Sequence, residues 1–527
     1  MENTLTVANM KGRAYRLRWW TLAVISLSLL ISILDCSVLN VALPTIQREL
    51  NATSSQLMWM VNAYTMVFGA LMLTSGSLGD RIGRAKLLQA GIAVFGLASL
   101  GAFFSNSPNN LIVWRIVQGA GAAMLVPATL AIITDLFPKE ERAKAIGIWA
   151  GIQGVGIALG PIIGGLLVQN FNWNSIFLIN IPVAAIAFIA GWFLVPDSRD
   201  SQPRKLDVGG NLLVLAGLAS LIYGLVNGLS KGWTDPQVVG TLIAAAVLIV
   251  AFVIWEKRLT QPLMELGFFR NARFSAGIIS LIIMGLGLNG VNYVLTYYMQ
   301  FVKGYSALET GLRYLPLAAG LLLGAVTTEK FEKQFGARTI LSLGFIGSAI
   351  MIFTASRISI DTPFWQMGIE FLFLGLFLGF VMTAVTDAIM GAIPKAQAGI
   401  GSAMNSVFRT ISGTIGVAVL GGIVSSIYGT NLLKLTGSIS ELPASIAKTA
   451  SDSIGVALGI AGSGKLPPET AAALVQASKQ SFMDGWQVMA LASGGLFVIG
   501  TLLVLKFMPS RTTNRASESA AAEKASE

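Results

Sequence analysis

The chain has 527 residues, of which 54% are hydrophobic and 12% charged, against about 25% charged in an ordinary soluble domain. With a mean hydropathy of +0.70 and 57 glycines, this composition excludes a soluble enzyme and points to an integral membrane protein. The formal charge of +10 reads as basic cytoplasmic loops rather than a nucleic-acid footprint, and one cysteine with no histidine excludes a metal cluster or an internal disulfide.

The basic opening "KGRAYRLRWW", residues 11–20, leads into an apolar run. That run is too long for a signal-peptide core and has no clear cleavage site, so it is read as a retained first span. Thirteen more runs reach bilayer length. The expected spans are residues 20–41, 57–78, 87–104, 111–133, 145–168, 176–195, 208–229, 238–255, 274–299, 310–326, 339–356, 364–389, 400–427 and 486–507. They are continuous rather than alternating, which favours helices over barrel strands. The expected fold is an all-α integral membrane protein with fourteen transmembrane helices.

An even number of spans puts both termini on one side. With that side cytoplasmic, 25 Lys and Arg fall inside and 9 outside, and Arg115 and Arg409 lie within spans. The asymmetry supports this orientation. Residues 428–483 form a long outer loop in which "LPASIAKTASDSIGVALGI" and "PPETAAALVQASKQSF" read as two short helices, the alternative for either being a disordered, Ala/Ser-rich linker. The tail, 510–527, is polar enough to be disordered.

"GSLGDRIGRAK" after the second span and "EKFEKQFGAR" after the tenth form a faint repeat. It predicts two related six-helix halves with the seventh and eighth spans inserted between them. The predicted organisation is a cytoplasmic N-terminus (1–19), an N-terminal bundle (20–200), two inserted spans (201–257), a C-terminal bundle (258–509) and the tail (510–527).

Charges inside a span are costly and face a cavity or a partner. Asp35 interrupts the first span, Arg115 the fourth, Glu370 the twelfth and Arg409 the thirteenth; Asp387 lies near a cytoplasmic end. Asp35 has two readings. It pairs with an arginine to fix helix packing, or it exchanges a proton for a cationic substrate, because low dielectric disfavours an isolated charged carboxylate. Arg115, with Gln118 one turn on, is read either as a structural hub or as the group that helps a carboxylate release its proton; Glu370 and Asp387 are the other candidate proton carriers. Helical spacing groups Asn289, Asn292, Tyr293 and Thr296 in one stripe, and Asn405, Arg409, Ser412 and Gly416 in another; both are expected to line a cavity. In the fifth span, Gly156, Gly160, Pro161, Gly164 and Gly165 predict close packing and a bend that seals a pathway. In "GDRIGRAK", Gly83 allows a tight turn and Arg81, Arg84 and Lys86 stay in water or meet lipid phosphates; Asp80 is read either as part of a simple positive-inside loop or, preferably, as a partner in a two-state salt bridge that holds an inner gate.

These motifs, in this order, resemble those of the major facilitator superfamily, and specifically its fourteen-span drug–proton antiporters. "LDCSVLNVALP" resembles the first-helix signature, with Asp35 at its acidic position and Ser37 where a threonine is usual. Gly76, Asp80, Arg81, Gly83 and Arg84 match the loop motif, and Arg115, Gln118, Gly119 and Gly121 the proton-coupling motif. "GIALGPIIGG" is similar to the antiporter motif. The resemblance implies two six-helix bundles around a central cavity and export of amphipathic, commonly cationic, compounds driven by inward proton flow. It also implies a bacterial cytoplasmic (inner) membrane and no cofactor. Asp35, Gln118 and the two polar stripes would contact substrate. Met404, Asn405, Ser406 and Arg409 stand where some members carry acidic residues, which leaves dicationic substrates in doubt. The expected state is a monomer, with no nucleic-acid partner and with any envelope partner unknown. An exporter dedicated to one native metabolite or antibiotic is the alternative. A proton symporter is disfavoured by the fifth-span motif, and a membrane enzyme by the lack of a P-loop, a metal cluster or histidine.

Overall fold

The computed structural model describes residues 15–199, 207–259, 262, 264, 266–393, 398–437, 439 and 442–508. These residues are almost wholly helical, and each of the fourteen expected runs falls on helix. In chain order the elements are α1 (Arg18–Leu50), α2 (Ser54–Ile82), α3 (Arg84–Phe103), α4 (Pro108–Leu136), α5 (Lys139–Asn170), α6 (Ser175–Leu178), α7 (Asn180–Leu194), α8 (Val208–Lys231) and α9 (Pro236–Arg258). There follow α10 (Ala272–Tyr297), α11 (Ala307–Arg313), α12 (Leu315–Phe335), α13 (Ala337–Ala355), α14 (Phe364–Gly391), α15 (Ala398–Thr436), α16 (Ala444–Ala450), α17 (Ile454–Gly462) and α18 (Pro468–Phe507). Among the described residues twelve helices are long and apolar enough to cross a membrane, or thirteen if the bent α2 is one span. The remaining expected span lies on the 32-residue α5.

Local chemistry sets the helix ends. Thr53 and Gln56 cap each other at the start of α2, with Gln56 N donating to Thr53 Oγ1 at 3.2 Å and Thr53 N to Gln56 Oε1 at 3.0 Å. Ser107 caps α4 ahead of Pro108, and Asp235 caps α9 ahead of Pro236. The turns that the faint repeat marked share a conformation. Gly83 opens α3 at φ 115°, ψ 132°, and Gly336 opens α13 at φ 85°, ψ 155°. Such positive φ values favour glycine at both places.

The helices form two compact units. The first comprises Met1–Leu263, Leu295–Leu312 and Tyr428–Lys479, and the second Met264–Val294, Arg313–Ile427 and Gln480–Glu527. In the first, α1 packs on α5, α2 on α4, and α8 on α2 and α9; in the second, α12 and α13 pack on α14. Each unit has its own apolar core. One is built around Phe95, Leu125 and Phe137, the other around Phe274, Phe345 and Phe497.

The long loop differs from its expected form. α16 and α17 are two short helices, but both belong to the first of the predicted segments. The second predicted segment is the first part of α18, which runs 40 residues without a break. No glycine or proline stands between Pro468 and Gly485 to end it. At 1.5 Å per residue α18 spans about 60 Å, twice the ~30 Å hydrocarbon core. Within the first unit α17 is tied to the end of α1, where Gln47 Nε2 donates to Ser453 Oγ at 2.5 Å. Ser54 Oγ donates to Asp452 O at 2.8 Å, and the Tyr428 hydroxyl to Ala450 O at 3.1 Å. The expected disordered tail, 510–527, lies outside the described residues.

Candidate functional site

Asp35 sits mid-way along α1, 3% exposed, and is met by two other helices of the first unit. Arg115 Nη1 of α4 donates to Asp35 Oδ2 in a buried ion pair. Gln118 Nε2, one turn further along α4, donates to Asp35 Oδ1 at 3.2 Å. Asn180 Nδ2, the first residue of α7, donates to the same oxygen at 2.8 Å. Ser99 of α3 completes the cluster by accepting from Gln118 at 2.9 Å and from Asn180 at 3.3 Å, while its own proton goes to Phe95 O at 2.9 Å.

The guanidinium makes further contacts. Arg115 Nη1 also donates to Gln118 Oε1 at 2.8 Å, Nε donates to Met60 O of α2 at 3.1 Å, and Cζ lies 4.3 Å from the centroid of the Tyr64 ring. Arg115 is 1% exposed and Gln118 is sealed. Helix spacing explains why α4 carries two of these groups, since residues three apart share a face. A buried ion pair survives only when its remaining donors and lone pairs are satisfied, and here α1, α2, α3, α4 and α7 all contribute. The sequence reading found Asp35, Arg115 and Gln118 but missed Asn180, Ser99 and Tyr64. Asn180 did leave a signal, as an amide within the otherwise apolar "IFLINIPVAAIAF".

The fifth-span glycines form a two-sided seam. A Cβ at Gly156 would lie 3.0 Å from Ile33, one at Gly160 would overlap Ser37, and one at Gly164 would lie 3.0 Å from the Val38 Cα, so this face of α5 lies directly on α1. On the other side, a Cβ at Gly165 would lie 2.5 Å from the Leu308 Cα, and one at Gly311 of α11 would overlap the Pro161 carbonyl. The α1 contacts flank Asp35 by only two or three positions.

At the α2–α3 turn, Arg84 Nε and Nη2 each donate to Asp80 Oδ1 at 3.1 Å, and Nη1 lies 4.0 Å from Asp135 Oδ1 at the end of α4. Arg84 N donates to Ser198 O at 2.9 Å. Gly83 leaves no room for a side chain beside the Asp197 carboxylate, and Gly76 faces Pro127. Arg81 is exposed. Asp80 therefore belongs to a network tying the ends of α2, α3 and α4.

In the second unit, Asn405 Nδ2 donates to Thr386 Oγ1 at 3.5 Å, and Asn289 Nδ2 to Gly285 O at 3.1 Å. The Asn292 carbonyl accepts the Tyr314 hydroxyl at 3.3 Å, and Tyr293 is buried. Thr296, on the same stripe, is buried in the first unit. Arg409 is partly buried on α15. Glu370 is half-buried near the start of α14, with Gln366 as its partner and Oε2 unbonded. Asp387 is exposed near the end of α14, beside Glu332 of α12 and with Arg273 close by.

Many apolar spans, a buried charge cluster shared among them and glycine-packed helix seams define a polytopic membrane transporter, not an enzyme. Residues 25–417 match the model of the Major Facilitator Superfamily, and the chain belongs to that family. It is 31% identical over 515 residues to the tetracenomycin C resistance and export protein of Streptomyces glaucescens, covering 97% of this chain and 95% of that one. It is 30% identical to the methyl viologen resistance protein SmvA of Salmonella typhimurium, over 92% of this chain and 96% of the relative. Identity is also 30% to the multidrug efflux pump LfrA of Mycolicibacterium smegmatis, over 96% and 98%. Among solved structures, a bacterial homologue of the human lysosomal transporter Spinster superposes with a TM-score of 0.63 at 17% identity, covering 94% of this chain and 99% of its own. A D-xylose–proton symporter reaches 0.56 at 14% identity, over 85% and 98%. The structural likenesses establish the fold.

Proposed function

We propose that the chain is a proton-driven exporter of amphipathic small molecules, cationic compounds among them. It works as a monomer, without a cofactor, in a bacterial cytoplasmic membrane, with both termini in the cytoplasm. The excess of Lys and Arg in the segments on the terminal side supports that orientation. The observation that carries the reading is the buried Asp35–Arg115 pair, in a chain whose full-length relatives are named for drug resistance and efflux.

The geometry suggests how a proton does work here. Asp35 accepts from Arg115, Gln118 and Asn180 at once. A proton arriving on either carboxylate oxygen displaces a donor and removes the counter-charge of Arg115. The helices α1, α4 and α7 then lose a shared acceptor, and Arg115 keeps only Gln118 Oε1 and Met60 O. Proton loss restores the pair. Protonation thereby selects between two packings of the same helices, which is what alternating access requires. Glu370 and the Asp387–Glu332 pair are further proton carriers on this reading. The Asp80–Arg84–Asp135 network holds the gate at the α2–α3 turn, and the α5 glycines let the α1 seam close.

The relative named for export of tetracenomycin C favours a second reading, an exporter dedicated to one native antibiotic. Accumulation of a fluorescent lipophilic cation in cells making the chain tests the first. Lower steady-state accumulation that an uncoupler abolishes is the expected result. Accumulation equal to that of control cells, for every amphiphile in a broad panel, contradicts drug export.

A further inference from the structure

Arg115 and Arg409 both lie within spans and are not alike. Arg115 is matched by a carboxylate, an amide, a carbonyl and an aromatic face. The guanidinium of Arg409, which lies within the span Met404–Thr436, makes no hydrogen bond or ion pair with any described residue. Its neighbours are all satisfied. Ser412 Oγ donates to the Arg409 carbonyl at 2.9 Å, Asn405 bonds Thr386, and Asn289 bonds its own helix. Of the described carboxylates on the spans of the same unit, Glu329 pairs with Lys333, Asp484 accepts from Gln480, Asp387 lies with Glu332 and Glu370 lies beside Gln366, and none forms an ion pair with Arg409. Residues 394–403, just ahead of Arg409, contain no Asp or Glu.

α10 leaves the Arg409 backbone no freedom to withdraw. A Cβ at Gly285 would stand 3.3 Å from the Arg409 carbonyl, and one at Gly413 would stand 2.8 Å from Asn289 Nδ2. The helix seam holds the root of the side chain, and the residue as a whole is partly buried. A charged group inside a membrane span is costly unless something completes it. A guanidinium presents a planar fork of donors that suits a planar oxyanion far better than it suits a cation.

We propose that Arg409 is an oxyanion subsite, which takes the carboxylate or phenolate of an acid-bearing amphiphile. The proposal rests on the exporter reading for its setting and narrows that reading to a substrate class. Asn405, one turn away on the same face, supplies a neighbouring amide. The Asp35–Arg115 cluster carries its own counter-charge, so of these two arginines Arg409 is the one free to meet a substrate anion.

The test uses three amphiphiles that share one aromatic body and carry a carboxylate, a neutral amide or a quaternary ammonium. Transport into inside-out vesicles and equilibrium dialysis with purified protein are measured for the wild type, Arg409→Gln and Arg409→Lys. Thermal unfolding in detergent checks that each variant is folded. Loss of one charge-assisted hydrogen bond predicts about a tenfold weaker binding and slower transport of the carboxylate in Arg409→Gln. The amide and ammonium compounds should stay within about twofold, and Arg409→Lys should restore part of the loss. An equal fall for all three compounds makes Arg409 a packing strut and overturns the proposal. Unchanged carboxylate binding in Arg409→Gln overturns it too, whether or not cation transport rises. Selective loss of carboxylate binding in a protein that transports none of the three would sink the exporter reading and leave the subsite standing.

Discussion

Asn180 holds its amide 2.8 Å from Asp35 Oδ1 across 145 positions of sequence, so the start of α7 is pinned to the middle of α1 by the same carboxylate that binds Arg115. That bond makes α7 a participant in the charge cluster rather than a packing helix. Replacing Asn180 with Ala removes one donor to a charged acceptor, worth about 1.5–3 kcal/mol. Drug-dependent proton flux should fall roughly tenfold, with the protein still inserted and monodisperse. Flux at the wild-type level in purified, reconstituted Asn180→Ala would contradict this role.

Arg115 answers to a different measurement. Arg115→Ala leaves Asp35 buried without its counter-charge, at a cost of about 3–5 kcal/mol. Thermal unfolding in detergent should move down clearly. Arg115→Lys keeps the charge but cannot reach Asp35, Gln118 and the Met60 carbonyl together. It should recover stability while transport stays low. A double variant, Asp35→Asn with Arg115→Gln, should be more stable than Arg115→Ala, because neither partner is left as a lone charge.

The α5 seam separates glycines that need to be glycine from those that do not. Gly160→Leu puts a branched side chain where Ser37 of α1 already lies, so transport should be abolished and stability reduced by about 1–3 kcal/mol. Gly459 of α17 has nothing within 4 Å of its missing Cβ. Gly459→Ala should be neutral or stabilising by up to about 1 kcal/mol.

At the gate network, Asp80→Asn removes the charge that Arg84 Nε and Nη2 both address. The pair is partly solvated, so its direct contribution to stability is at most about 1 kcal/mol. Transport should nevertheless drop severalfold with expression and insertion unchanged. Normal transport in Asp80→Asn would reduce the network to a topological anchor.

The spans were legible in the sequence because the bilayer imposes a length and a polarity that few other settings demand. Asp35 and Arg115 were legible for the same reason, as charges standing out in apolar runs. Asn180 and Ser99 were not, because a neutral polar side chain in a span is ordinary until tertiary packing brings it to a carboxylate. The helix after Pro468 was legible, but its continuity with the last span was not, because the polar residues up to Asp484 end the apolar run while their helix propensity carries the helix on. The faint repeat was real at the backbone, with Gly83 and Gly336 making the same kind of turn. The gate residues around it did not repeat, since Lys333 pairs with Glu329 on its own helix at 2.5 Å.

The central claim is that Asp35 couples proton movement to export. Inside-out vesicles energised to an acidic interior, with a pH dye and a panel of amphiphiles, test it most directly when wild type and Asp35→Asn are compared at equal protein levels. The account predicts substrate-induced proton leakage in the wild type and none in Asp35→Asn. Equal leakage in both would contradict it and move proton coupling to Glu370 or Asp387.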